Sequence, residues 1–155
     1  MRRIGQRTSP HIIHILSTMR IVLDTNGLVA SLGVTSPFRE IWLGLHDCKY
    51  TLCVSNEILF EYQEIIAAKT TPAIANHVID FILNSENVEF VVPFYHFELV
   101  TADHDDNKFV DCAIAANATY IVSDDKHLRP LQYITFPRLV VLKLMEFVEI
   151  LKGIS

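Results

Sequence analysis

Cysteine is scarce in this 155-residue chain, and the three present, Cys48, Cys53 and Cys112, form no C-x-x-C pair. A disulfide framework or a thiolate zinc site is therefore not expected, and each thiol falls among apolar neighbours where it would behave as a small hydrophobe. Glycine (five) and proline (six) are sparse too, while half of the residues are hydrophobic. That balance argues for one compact domain with a sizeable core and leaves no room for a second. No uninterrupted apolar run approaches the ~20 residues needed to cross a bilayer, so the chain reads as soluble and cytoplasmic, with no membrane partner. An excess of basic charge is also missing: the formal charge is −5 and the isoelectric point is near 5.7. A protein that grips phosphates by charge alone shows the opposite balance, so nucleic-acid chemistry here would need metal ions to offset clustered acids, or a local basic rim.

At the N-terminus, Arg2 and Arg3 ahead of Ile12-Ile13-His14-Ile15-Leu16 mimic the start of a signal peptide. The apolar segment is too short, however, and a histidine interrupts it. Residues 1–18 are expected to be a disordered extension, with the folded domain spanning 19–151.

What the chain does have is alternation. Arg20 to Leu23 read as a buried strand that stops at a turn, Asp24-Thr25-Asn26-Gly27. Ser36-Pro37 start a helix carrying Phe38, Ile41, Trp42 and Leu45. Tyr50 to Val54 form a second strand, Ser55 caps a helix to about Lys69, and Thr71-Pro72 open another with Ile74, Val78, Ile79 and Ile82. Val88 to Val92 give a third strand. The aperiodic stretch from Phe94 to Asp105 reads as a loop leading into a helix near Asp106 to Asn117. Tyr120 to Ser123, a helical turn at Lys126 to Leu131, Leu139 to Leu142 and a closing helix from Leu144 to Leu151 complete the chain. Strands alternating with helices predict a three-layer α/β/α domain around a central, mainly parallel five-stranded sheet.

The acids fall where such a sheet does chemistry. Ligands bind outside the carboxyl ends of the strands, and Asp24 ends the first strand while Asp124-Asp125 follow the fourth. An isolated aspartate at such a position more often caps a helix or forms a turn, but two strands ending in acids shift the balance. On the helix wheel Glu61 lies about 60° from Ile58, at the edge of the apolar arc, whereas Glu57 and Glu64 lie about 100° and 120° away, towards solvent. Asp103, Asp105 and Asp106 crowd a helix start, where the macrodipole favours negative charge and Asp105 suits the N-cap. Asp106 also aligns with the buried-face residues Phe109, Val110 and Ala113. Asp111, further round, reads equally well as a solvated acid. Four or five gathered carboxylates are costly unless a hard divalent ion neutralises them, and such an ion can activate water against a phosphodiester.

At these residues the chain resembles a PIN domain, and within that family the VapC-type toxins of toxin–antitoxin pairs. Arg20-Ile21-Val22-Leu23-Asp24-Thr25-Asn26 looks like the family's opening strand. Glu61 matches its second acid, Asp105-Asp106-Asn107-Lys108-Phe109-Val110-Asp111 its third block, and Tyr120-Ile121-Val122-Ser123-Asp124-Asp125 its fourth. The resemblance implies a metal-dependent endoribonuclease that hydrolyses RNA with Mg²⁺ or Mn²⁺. It implies Asp24, Glu61, Asp106 and Asp125 as catalytic ligands, direct or through water, with Asp111 assisting. Thr25, Asn26 and Ser123 would orient them, and an antitoxin and a homodimer are the implied partners. Relatives commonly carry glycine or a basic residue where Asp124 stands, so Asp124 and Asp125 both remain candidates. Asp111-Cys112-Ala113 resembles another third-block arrangement, although the wheel favours Asp106.

The remaining chemistry-bearing residues have plainer readings. His46, His77, His96, His104 and His127 lack a two-histidine helical spacing and read as surface or loop residues. Lys108, Lys126, His127 and Arg129 lie beside the acidic blocks, as a basic rim for RNA or as solvated surface. Two rivals stand beside the nuclease. One is a catalytically silent interaction module on the same fold. The other is a phosphoaspartyl or receiver-like domain, and a dehalogenase-type phosphatase would want Asp where Asn26 stands.

Overall fold

The computed structural model describes residues 19–100, 103–135 and 137–154, so the expectation for residues 1–18 lies outside the described residues. In chain order the elements are β1 (Arg20–Leu23), α1 (Thr25–Ser31), α2 (Arg39–His46), β2 (Thr51–Val54), α3 (Asn56–Lys69), α4 (Pro72–Asn84) and β3 (Val88–Phe90). A 3-10 turn (His104–Asp106) leads into α5 (Asn107–Ala116), followed by β4 (Tyr120–Val122), a 3-10 helix (Lys126–Tyr133), β5 (Val141–Leu142) and α6 (Leu144–Lys152). Among the described residues no helix is long and apolar enough to cross a membrane.

The strands lie in the order β3-β2-β1-β4-β5, and every neighbouring pair is parallel. Side chains alternate between the faces of a strand, yet all four residues of β2 and the last three of β1 are buried. Both faces are therefore covered by helices, as a parallel sheet requires, and the architecture is the three-layer α/β/α arrangement the sequence predicts. Helix α5 rests on β1, β2 and β4, while α2 packs against α6. The chain reverses its direction of travel across the sheet between β1 and β4, which makes the edge above these two strands the topological switch point. Their register sets Leu23 opposite Val122, so Asp24 and Ser123 leave the sheet side by side.

The caps at Ser55 and Thr71 form as the sequence anticipates, each accepting a backbone N–H three residues on. Three local readings need correction. Asp24-Thr25-Asn26-Gly27 is not a turn: Asp24 is an N-cap and α1 begins at Thr25. Asparagine and glycine are poor helix formers, but a Cβ at Gly27 would stand 2.7 Å from Leu144 Cδ2, so close packing against α6 selects the glycine and overrides propensity. Asp105 does not cap α5, because a 3-10 turn precedes that helix and Asp103 Oδ1 accepts the Asp105 N–H at 3.0 Å. Cys48 is exposed rather than apolar-packed, in a left-handed position with φ 56°.

Tyr62, fully buried on α3, donates its hydroxyl to the Leu23 carbonyl at 2.6 Å, fixing the end of β1 directly below Asp24. Tyr62→Phe is expected to leave that carbonyl short of a donor and lower stability by about 1–3 kcal/mol in urea unfolding. An unchanged midpoint would show that the bond does not anchor the strand.

Candidate active site

Asp24 sits at the C-terminal end of β1 and is only 6% exposed. Ser123, one residue past β4, donates its hydroxyl to Asp24 Oδ2 at 2.7 Å and accepts the Asp125 N–H at 2.9 Å. A single hydroxyl thus ties the ends of two neighbouring strands together, using its donor and one lone pair. Burial raises the Asp24 carboxyl above its ordinary range. The Ser123 hydroxyl and the Asn26 amide pull it back, and the charges of Asp125 and Glu61 push it up again.

Glu61 reaches the same edge from α3, where it is partly buried while Glu57 and Glu64 are exposed. The Thr25 hydroxyl donates to one of its carboxylate oxygens, and Lys108 Nζ lies 2.8 Å from the other. Lys108 also donates to the Asp105 carbonyl at 2.6 Å. Read from sequence as part of a rim for RNA, Lys108 instead turns inward as the counter-charge of Glu61; Lys126 and Arg129 stay exposed.

Asp106 enters from the 3-10 turn before α5 and is 7% exposed. Its Oδ2 is buried with no hydrogen-bond partner among the described residues, and so is His127 Nδ1, 4.0 Å away. Burial is the first cause that pushes the Asp106 carboxyl up to about 7, followed by the charge of Asp125 and a hydrogen bond to it, then by Asp103 and Asp24. Asp125 N-caps the following 3-10 helix, its Oδ1 accepting the His127 N–H at 2.8 Å. The exposed Asp124 turns away, accepting the Leu144 N–H at 2.9 Å at the start of α6. Of the adjacent pair, Asp125 is the one that faces Asp24 and Asp106.

The structure gathers Asp24, Glu61, Asp106 and Asp125, with Thr25 and Ser123 bonded to them. It does not bring in Asp111 or the Asn26 side chain. Asp111, 4% exposed and so not the solvated acid its helix position allows, accepts the Phe97 N–H at 3.0 Å and faces His96 Nδ1 at 3.3 Å. The exposed Asn26 amide oxygen faces Lys69 Nζ at 3.4 Å, and only its backbone serves Asp24. Asn107 holds both the N–H and the carbonyl of Val100, at 2.8 and 3.0 Å, a clamp that no sequence pattern announces. His127, read from sequence as a surface or rim residue, is half-buried beside the acids. Among the described residues, Asp103, Asp106 and His127 offer ligand atoms that all lie within 4.8 Å of one another. Their one sequence signal is position, next to acidic blocks at a strand end and a helix start.

A divalent cation fits this arrangement. A buried carboxylate oxygen without a donor and a carboxyl held up by burial and by like charges are both relieved by a cation, and oxygen ligands suit Mg²⁺ or Mn²⁺. No curated protein matches the chain. A family model described as PIN domain matches residues 20–127. Among solved structures, the chain is similar in fold to a chain of the crystal structure of VapBC2 from Rickettsia felis bound to a DNA fragment from their promoter. The TM-score is 0.55 at 21% identity, over 81% of this chain and 98% of that one.

The raised Asp106 carboxyl sets a pH dependence whose sign is fixed. Its proton stabilises the fold fully below the ordinary value of 3.8, and that contribution is lost as pH rises through about 7. In EDTA, Asp106→Asn is expected to melt several degrees above wild type at pH 8, with the gap narrowing towards pH 5. Thermal unfolding across that range checks it, and a gap that is constant with pH would contradict the strain assigned to Asp106.

Proposed function

The chain belongs to the PIN-domain family, and from that premise we propose that it is a metal-dependent endoribonuclease acting as the toxin of a toxin–antitoxin pair. The observation that carries this reading is the convergence of Asp24, Glu61, Asp106 and Asp125, from four separate segments, on the switch-point edge of the sheet. These four would hold Mg²⁺ or Mn²⁺, directly or through water. Asp111 is better suited to holding the Phe97 N–H and the His96 ring than to assisting them. When bound, the ion supplies Lewis-acid stabilisation of charge developing on a phosphodiester and makes water a better nucleophile.

The chain's own residues then have distinct tasks. Ser123 aims Asp24 and holds the backbone of Asp125 through one hydroxyl. Thr25 and Lys108 fix the two oxygens of Glu61, so this acid needs no reorganisation. Without a cation the Asp106 carboxyl, pushed up to about 7 by burial and the charge of Asp125, is only partly ionised near neutral pH, which limits the charge of the cluster until an ion arrives. Exposed Lys69, Lys126 and Arg129 supply cations for RNA phosphates that the acidic chain otherwise lacks. The Rickettsia felis structure is a VapBC2 complex with promoter DNA, and this supports an antitoxin partner; an RNA substrate and a cytoplasmic setting are further parts of the proposal. A homodimer belongs to it as well.

The purified chain, incubated with a mixed RNA pool, is expected to cut in Mg²⁺ or Mn²⁺ and to stop in EDTA. Asp24→Asn should lose on the order of 100-fold or more in rate, because a carboxylate ligand is removed and not merely reoriented. Expression should arrest growth, and Asp24→Asn or Glu61→Gln should relieve the arrest. Equal cleavage by wild type and variant, indifferent to EDTA, would sink the nuclease reading and leave the silent interaction module in its place.

A further inference from the structure

Next to the four acids stands a group that an all-carboxylate cradle does not use. His127 sits in the first turn of the 3-10 helix after β4, with its backbone N–H held by Asp125 and the neighbouring Leu128 fully buried. The backbone from which its imidazole projects is therefore anchored. Nδ1 is buried and makes no hydrogen bond among the described residues; it faces Asp125 Oδ1 and, further off, Asp106 Oδ2, which also lacks a hydrogen-bond partner. The Asp106 side chain is nine-tenths buried. Asp103 completes the trio from the segment before the 3-10 turn.

The imidazole lies between two carboxylates, Asp125 and Asp106, and closes on neither as a hydrogen-bonded ion pair would. A histidine hydrogen-bonded to a carboxylate closes to about 2.7–2.9 Å. The observed separations from Nδ1 are 3.4 Å to Asp125 Oδ1 and 4.0 Å to Asp106 Oδ2. Two ligands of one ion, each about 2.0–2.2 Å from it, stand roughly 3–4.4 Å apart depending on the angle. The pair is thus spaced for a shared cation. Magnesium prefers oxygen ligands and retains its waters, whereas an imidazole nitrogen favours the first-row transition ions.

We propose that Asp103, Asp106 and His127 form a nitrogen-bearing cation site, with Asp106 shared between it and the carboxylate cluster, that selects a transition ion such as Mn²⁺ over Mg²⁺. The proposal rests on the reading of the cluster as a cation centre and gives that centre a metal preference. His127 acts by placing its Nδ1 on the ion; Asp103 acts by completing the negative charge.

Pulsed electron paramagnetic resonance of Mn²⁺ added to the whole chain tests this directly, because a coordinated imidazole gives a nitrogen hyperfine coupling. Wild type is expected to show it. His127→Gln should lose the coupling while still binding Mn²⁺, with affinity lowered by roughly 10- to 100-fold and Mg²⁺ affinity little changed. Asp103→Asn should weaken Mn²⁺ binding and keep the coupling, which preserves a test should the His127 variant fail to fold. Mn²⁺ bound to wild type without nitrogen coupling overturns the site but not the carboxylate cluster. Coupling that survives in folded His127→Gln overturns it too. If wild type binds no Mn²⁺ at all, both this inference and the cation centre of the proposed function fall.

Discussion

Like charges gathered at one edge of the sheet are the constraint on which the rest of this structure turns. Burial and the neighbouring acids both disfavour the ionised form of Asp24 and Asp106, and the two effects add. The fold meets this cost with few devices. Of the four acids Lys108 pairs with Glu61, and it also donates to the Asp105 carbonyl. One hydroxyl, that of Ser123, serves both Asp24 and Asp125, and the amide at the start of α1 helps Asp24. For Asp106 Oδ2 no donor is provided among the described residues. The imbalance lies on one side of the site and faces His127, which is where an added positive charge would relieve it most.

The same edge explains why the sheet is entirely parallel. A parallel strand delivers its C-terminal residue to the same rim as its neighbour, so β1 and β4 place Asp24 and Ser123 side by side by register alone. Helices that return beneath the sheet then present their first turns at that rim. Both Asp106, just before α5, and Thr25, in the first turn of α1, use such starts. Glu61 is the exception, reaching the rim from the second turn of α3, and it alone has a lysine partner in the cluster.

Residues whose roles follow from local pattern were legible in the sequence. The apolar runs of β1 and β4 end in acids, Ser55 and Thr71 announce their helices, and the wheel of α3 separates Glu61 from Glu57 and Glu64. What depends on a distant partner was not legible. Gly27 reads as a turn residue until Leu144 of α6 is seen against it. Lys108 reads as surface because Glu61 lies 47 positions away. Asp111 and Asn107 answer to a segment between Phe94 and Val100 with neither helical nor strand period, so nothing local marks them as its anchors. His127 shows no two-histidine spacing, because its companions Asp103 and Asp106 come from the other side of β4.

The clamp on that aperiodic segment uses one face of α5 and leaves the site to another. Asn107 and Asp111 are four positions apart on α5 and share one face, which grips Val100, Phe97 and His96. Asp106 lies one position before Asn107, about 100° round the helix axis, and so points elsewhere by construction. Three hydrogen bonds tie the 97–100 backbone to this face, while Phe109, Val110, Cys112 and Ala113, buried as α5 rests on the sheet, set the rotation of the helix and with it the aim of Asp106. An aspartate with an orphaned oxygen would otherwise gain by turning towards solvent. The packing of α5 against the sheet opposes that escape, so Asp106 is held in place by apolar residues that never touch the acidic cluster.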